Sequence, residues 1–493
     1  MTKTSEPHLS RMRIVVIGAG IAGIASALAL ADDKRVKEVT LLEARKRIGG
    51  RVGSVVDPVS QMEFDNCQHA CFRVYERFLQ LLGRAGAQTA VKLQTRTNLP
   101  FTLPEKGISA ILKDGRLSPP NHMLGSILKF PFLAFKDKAK MRKAVSAFAK
   151  MNEEERLKLD EMPFIEWLEN NGQTKKAIDR FWRFFVLAAL NMQLEDASTA
   201  VCALLFKRGL FGDPHAFDVG AFQDHLSGAI DSDLSQALEE SGVELRCSTS
   251  ASELIWQGGK CTGVRCGDEN IFADWVVMAT PHHIARKFLS HGDASGPAKA
   301  VAGRLSNLDY TALIGLHAIY DEPKAPEDFT FSAIVDEPVI QMIFNRNSEL
   351  AEENKPAENK QWLSVPISFA DPFMQMSDDE LRQDFEKVVN LMWPQSTANL
   401  ERFFVVRTKR ATCAFPIGSH PHRPDAGDAG EGISLAGDYT SQGWPSTMEG
   451  AARSGLQAAA LILSRDWNPD ENWPEWPPYP TRKSPEWIDW ACE

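Results

Sequence analysis

Gly18, Gly20 and Gly23, followed by Glu43, are the residues whose types and spacing speak most directly of chemistry. They stand in Arg13-Ile-Val-Val-Ile-Gly18-Ala-Gly20-Ile-Ala-Gly23 and in Val39-Thr-Leu-Leu-Glu43. Glycines in this G-x-G-x-x-G pattern let the backbone turn tightly and bring a helix N-terminus against a pyrophosphate. A carboxylate at the end of the next strand is placed to accept hydrogen bonds from a ribose hydroxyl. The flanks name the elements that must hold them: Ile14 to Ile17 has the character of a buried strand, and the residues after Gly20 that of a helix. A signal anchor would also be apolar from Ile14 to Ala31. No basic stretch or cleavage site accompanies it, however, and Asp32 and Asp33 close the run too early for a spanning helix. The reading is a dinucleotide site on a βα turn, in a chain expected in the cytosol.

A second glycine pair extends the site. After Glu43 the chain reads Ala44-Arg45-Lys-Arg-Ile-Gly49-Gly50-Arg51, where another stretch of backbone reaches the phosphates with a cation beside them. Nicotinamide dehydrogenases do not need this element. Flavoproteins of the glutathione-reductase superclass have it, and here the chain resembles the amine oxidase and phytoene desaturase group. The far end agrees: Ile433-Ser-Leu-Ala-Gly437-Asp438 is a strand ending in an acid, and Gly443-Trp444-Pro-Ser-Thr-Met448-Glu449-Gly450 opens a helix. In the group it resembles, the acid binds the ribityl–pyrophosphate region and the Met-Glu backbone faces the isoalloxazine. Between these motifs, Val243 to Arg246, a hairpin from Glu253, and Ala273 to Pro281 read as further strands. Ala251 stands where the group's backbone meets adenine, although the motif prefers Val there. The resemblance implies FAD, held non-covalently, and an α/β fold: a glutathione-reductase-type Rossmann FAD domain with an inserted mixed α+β substrate domain. Only one G-x-G-x-x-G occurs, so no nicotinamide domain is visible and the external electron donor is unassigned.

Bulk properties narrow the alternatives. The chain has 493 residues, 43% of them hydrophobic, with a net charge of −10, long enough for interleaved domains and too acidic for a general nucleic-acid binder. Its 8 cysteines include no C-x-x-C pair, so reduced thiols are expected, with neither a disulfide framework nor a metal site. The FAD domain is assigned to residues 10–100, 225–300 and 405–465. The insertions 101–224 and 301–404 are assigned to the substrate domain, and 466–493 to a Trp/Pro-rich tail.

Within this frame a finer resemblance appears. Phe64-Asp65-Asn66-Cys67-Gln68-His69, the Trp182-containing run Arg180 to Asn191, Ala197-Ser198 and the Gly443-to-Gly455 closing motif together resemble hydroxysqualene dehydroxylases, squalene-associated FAD-dependent desaturase-like enzymes. After His69 the chain departs from that family, reading Ala70-Cys71-Phe72. The resemblance implies a long isoprenoid substrate, reductive loss of hydroxyl from hydroxysqualene, and contact with squalene or hopanoid pathway enzymes. His69 is the candidate acid for the departing hydroxyl, because its pKa suits either protonation state near neutrality; the alternative is a histidine that hydrogen-bonds backbone or flavin without proton transfer. Gln68 is placed to orient the hydroxyl or the flavin edge. The alternative is a polyprenoid desaturase with hydride flowing the other way, since the same cofactor geometry serves both. An amine oxidase would want an amine-binding pair or aromatic cage, which is not assignable, and a non-catalytic FAD scaffold would lack a lipophilic tunnel.

Between Lys129 and Lys150 the chain carries seven Lys or Arg and one acid, Asp137, beside Leu124, Ile127, Leu128, Phe130, Phe132, Leu133 and Phe135. Apolar bulk beside a basic run is the composition of a segment at a membrane surface, so residues 124–150 are expected to face the inner side of a membrane. A solvated basic helix is the alternative. The substrate cavity is expected to be apolar and lined by Phe130, Trp182 and Phe185.

Overall fold

The computed structural model describes residues 11–357, 359–468, 471 and 473–476. Its first layer is a five-stranded, all-parallel sheet. The strand order is Glu244–Arg246, β2 (Val36–Leu42), β1 (Met12–Ile17), Trp275–Met278 and Ile433–Leu435. Burial on both faces explains the near-continuous apolar runs of these strands. One covering face is α1 (Ile21–Ala31), packed against the closing helix Met448–Ile462. An antiparallel three-stranded hairpin unit, Glu253–Gln257, Lys260–Cys266 and Glu269–Phe272, lies beside it.

The second layer is a seven-stranded mixed sheet. Its order is Leu400–Cys413, Tyr310–Tyr320, Gln361–Ile367, Met342–Asn345, Phe331–Ile334, Asn98–Leu103 and Ile108–Lys113. All its pairs are antiparallel except Phe331–Ile334 with Asn98–Leu103. Residues 405–413 and 98–100, grouped by sequence with the FAD domain, therefore belong to strands of this sheet. Their main-chain partners are Tyr310–Tyr320 and Ile108–Lys113, and pairing rather than sequence proximity to the flavin motifs decides the layer.

Helices from the first insertion cap this sheet. A continuous helical run from Lys175 to Leu190 passes through a π-helical segment, Ile178–Trp182, and packs a ring-rich core of Phe148, Phe164, Trp182 and Phe206. Trp182 is wholly buried there, with its Nε1 donating to Gln173 Oε1 at 3.0 Å. Phe130 is equally buried against Phe101 and Phe132. Both are core, not cavity wall, because rings on several sides already satisfy them.

The basic segment divides in two. Ile127, Phe130, Phe132 and Leu133 are buried in the cap, whereas Leu124, Leu128 and Phe135 are exposed, Phe135 at 78%. Lys129, Lys136, Lys140, Arg142 and Lys143 are exposed among them. Asp137, the segment's one acid, is spent on structure, accepting from Ala134 N–H and from Thr174 Oγ1. No helix among the described residues is long and apolar enough to cross a membrane. At the other end, Trp476 is buried against the first layer and its Nε1 donates to Asp32, with Trp467 and Trp473 packed on the same core. Trp487 and Trp490 lie outside the described residues.

Candidate active site

A hollow of about 640 Å³ runs from the glycine turn of β1–α1 into the space between the two layers. At one end its wall is backbone and charge. Gly18 and Gly20, Glu43, Arg45, Gly49, Gly50 and Arg51, Ala251, Gly437 and Asp438, and Met448 all line it.

The three glycines of the turn are glycine for different reasons. A Cβ on Gly23 would sit 1.9 Å from Gly18 O, so this residue allows helix and turn to touch. Gly18 has φ +101° and leaves a Cβ only 2.7 Å from Ala279 O. Beside Gly20 the nearest atom to such a Cβ is Gly50 Cα at 4.0 Å. Gly20 thus faces open cavity at the N-terminus of α1, where a pyrophosphate would approach. Gly23 itself does not line the hollow.

Glu43 is positioned by the same turn. Its Oε2 accepts from Ala19 N–H and its Oε1 from Arg45 N–H, each at 2.9 Å, leaving lone pairs for a ribose hydroxyl. At the pyrophosphate end, Arg51 Nη2 donates to Asp438 Oδ1 at 2.6 Å. Burial opposes charge on Asp438, but Arg51 outweighs it and holds the carboxyl below its ordinary range.

Glu449, assigned to the cofactor through its backbone, and Trp444 turn their side chains elsewhere. Glu449 is fully buried; its Oε2 accepts from Arg77 N–H and Phe78 N–H, and its Oε1 from Arg453 Nε. A carboxylate at the N-terminus of helix Glu76–Arg84 satisfies that helix's unpaired donors. Trp444 packs its ring over the Arg453 guanidinium and lies outside the main hollow. Of the closing motif, Ser446, Thr447, Met448 and Ala451 reach it.

Gln68 and His69 line the hollow, and a buried ionic array holds Gln68. Gln68 Nε2 donates to Glu349 Oε2 at 3.0 Å; Arg346 donates to the same oxygen at 2.6 Å and to Asp65 Oδ2 at 3.1 Å. Arg346, Asp65 and Glu349 are all under 4% exposed. Burial pushes the Glu349 carboxyl up in spite of Arg346. Asp65 also accepts from Ser54 Oγ and Leu226 N–H, so its role is structural. His69 Nδ1 lies 2.9 Å from Cys67 O. A carbonyl oxygen only accepts, so Nδ1 carries the hydrogen, and burial pushes the imidazole below its ordinary range. The neutral ring therefore offers Nε2 as a bare acceptor. The contact with a backbone carbonyl is the one a positioning histidine makes, and the burial of the ring favours its neutral form.

Beyond His69 the wall turns apolar. Phe72, Leu99, Phe101, Phe184, Phe185 and Phe344 line it. A second hollow of about 810 Å³ shares Phe101, Phe184, Ala188 and Met342 as a common partition. Its lip carries the Arg180–Asp336 and Arg183–Glu195 ion pairs. Sequence reasoning assigned no role to Asn191, whose signal was only its place at a helix end. It is in the left-handed region at φ +56°, and its side chain ties that end to Thr311, Ala312 and Phe369. Tyr75 and His283, also in the wall, belong to no motif that could announce them.

Residues 21–463 match the family of flavin containing amine oxidoreductases, and the chain belongs to it. Its cofactor is FAD, which the glycine cradle, Glu43 and the Arg51–Asp438 pair fit. Among curated relatives, it is 23% identical to the zeta-carotene desaturase of Solanum lycopersicum over 92% of this chain and 81% of that protein. It is 24% identical to the 15-cis-phytoene desaturase of Capsicum annuum (93% and 79%) and 24% to the zeta-carotene desaturase of Synechocystis sp. (92% and 97%). Among solved structures, putrescine oxidase superposes with a TM-score of 0.69 at 16% identity, covering 92% of this chain and 99% of that one. An oxidoreductase from Methanosarcina mazei gives 0.68, also at 16%, covering 92% and 100%. At those identities the likeness is one of fold.

Proposed function

We propose that the protein dehydrogenates a long isoprenoid with FAD as the hydride acceptor, as a desaturase of the carotenoid type. The likeness to carotenoid desaturases supports the direction, and His69 is compatible with it: its Nδ1 faces Cys67 O and burial favours the neutral ring, which leaves Nε2 to accept a proton. Bound FAD supplies a two-electron acceptor for hydride. The residues of the chain do the rest. The phenylalanine walls hold an apolar chain, burial contributing about 25 cal/mol per Å², and exclude water from the reacting carbons. His69 Nε2 takes the proton released from the neighbouring carbon, and the Glu349–Gln68 contact fixes the segment that presents it. The carotenoid desaturases among the relatives support this reading.

Reductive dehydroxylation of hydroxysqualene is the second reading, favoured by the Asp65-to-His69 segment and the closing motif. It needs a proton donor at the leaving hydroxyl, and His69 in its neutral state is not one. Product analysis separates the two. Anaerobic oxidised holoenzyme given phytoene should form new conjugated double bonds as the flavin bleaches. Squalene formed from hydroxysqualene by dithionite-reduced holoenzyme, with no dehydrogenation by the oxidised form, establishes the second reading instead.

The substrate class implies lipid as its source. We infer that the protein binds the surface of an anionic membrane through Leu124, Leu128 and Phe135 with the lysines around them. Lys136→Glu should weaken co-sedimentation with phosphatidylserine vesicles by about 1 kcal/mol. Unchanged co-sedimentation removes the basic residue from the contact.

A further inference from the structure

A second cationic surface lies at the nucleotide end of the cavity, and it differs in kind from the 124–135 segment. The helix His282–Ser290 turns His283, Ile284 and Phe288 into the cavity wall and leaves Arg286 and Lys287 exposed. The strand Leu400–Cys413 ends beside it, with Ala411 and Thr412 in the wall and Lys409 and Arg410 exposed. The two segments meet: His283 Nδ1 lies 2.9 Å from Tyr310 OH, and Tyr310 pairs with Cys413. Arg51 reaches across to Ala411 O at 3.1 Å. Burial and then the charges of Arg410, Lys287, Arg286 and Arg51 hold the His283 imidazole below its ordinary range.

Neutralisation is selective along this strand. Arg402 and Arg407, farther from the cavity, are paired with Asp57 and Asp378. Arg286, Lys287, Lys409 and Arg410 have no ion-pair partner among the described residues. In a chain of net charge −10, four exposed cations without ion-pair partners stand on two adjoining elements that also line the cavity, and concentrate charge of the opposite sign there. The large apolar residues that are exposed, Leu124, Leu128 and Phe135 among them, all lie on other segments. The face thus has charge without apolar anchors, which suits a small, polar and transient contact more than a membrane.

We propose that this face docks a small acidic one-electron carrier protein that exchanges electrons with the flavin. The inference rests on FAD as the resident cofactor and not on the identity of the isoprenoid. Each turnover of reduced FAD delivers two electrons, one to each of two carrier molecules in succession, and releases two protons to solvent. Opposite charge steers such encounters and is screened by salt.

The test uses holoenzyme reduced with dithionite, freed of excess reductant, and an acidic blue-copper protein as the oxidant. Its rate of reoxidising the flavin should fall at least tenfold between about 0.01 and 0.3 M ionic strength. Arg286→Glu/Lys287→Glu/Arg410→Glu should lower the low-salt rate roughly tenfold or more, and raise the rate with basic cytochrome c. A small neutral quinone should reoxidise both forms equally. Calorimetric titration with the redox-inert zinc form of the blue-copper protein should show binding to wild type at low salt and none to the variant. Salt-independent rates, or equal rates and binding for wild type and variant, overturn the proposal. So does loss of phosphatidylserine-vesicle binding in the variant with carrier kinetics unchanged, which would make this face a membrane surface.

Discussion

At the Gly20 end of the cavity the wall is backbone, carboxylate and guanidinium, drawn from turns that follow parallel strands. At the Phe184 end it is rings and aliphatic side chains drawn from a strand at 98–103, a helix at 183–190 and strands at 331–345. The first end is rigid because each element is locked by contacts no side chain could enter, such as Gly23 against Gly18 O. The second takes its shape from packing, and Phe101 and Phe184 stand between two hollows with space on both sides. One end therefore specifies a ligand by hydrogen bonds and charge. The other specifies only length, girth and apolarity. The Asp65–Arg346–Glu349 array lies at the seam and holds Gln68, the neighbour of His69, where the two meet.

The largest effect should come from breaking the first end. Gly20→Val places a side chain where the pyrophosphate approaches while meeting almost nothing of the protein. Purified variant should be folded by circular dichroism and colourless, whereas Gly23→Val should fail to fold. Next is the seam: Arg346→Met leaves two buried carboxylates unpaired and should cost about 3–5 kcal/mol in urea unfolding of the apoprotein. Loss of FAD with unchanged stability would show that the array serves the cofactor and not the fold. The smallest effect belongs to the apolar end. Phe184→Ala should raise KM for a polyprene roughly tenfold, the value of a ring's worth of burial, with FAD content unchanged. A change in kcat alone would mean that this ring positions the reacting carbons and does not simply hold the chain.

This contrast also explains what could be read from sequence. Gly18, Gly20, Glu43, Arg51 and Asp438 do their work within short segments, where spacing and chemistry are nearly the same thing. Phe130, Phe184 and Trp182 are alike as sequence, each an aromatic residue in an apolar helical region. Which one faces core and which faces cavity depends on helix and sheet meeting across the molecule. Glu449 sits beside a cavity residue in a legible motif, yet its carboxylate caps a helix that begins at Glu76. His69 was identifiable as a candidate, but its role turned on a hydrogen bond to Cys67 O that no spacing encodes.

That hydrogen bond makes the central claim measurable. Oxidised holoenzyme is mixed anaerobically with phytoene in detergent, and the rate of flavin bleaching is followed against pH in wild type and in His69→Ala. A base must be neutral to act, so the rate should be full above the depressed pKa of His69 and lost as pH falls through it. The acid limb should lie below the ordinary histidine value of 6.5, and His69→Ala should bleach about 10²-fold more slowly at neutral pH, with FAD retained. A wild-type rate that instead rises as pH falls, with His69 protonated, would contradict the account and make this residue an acid.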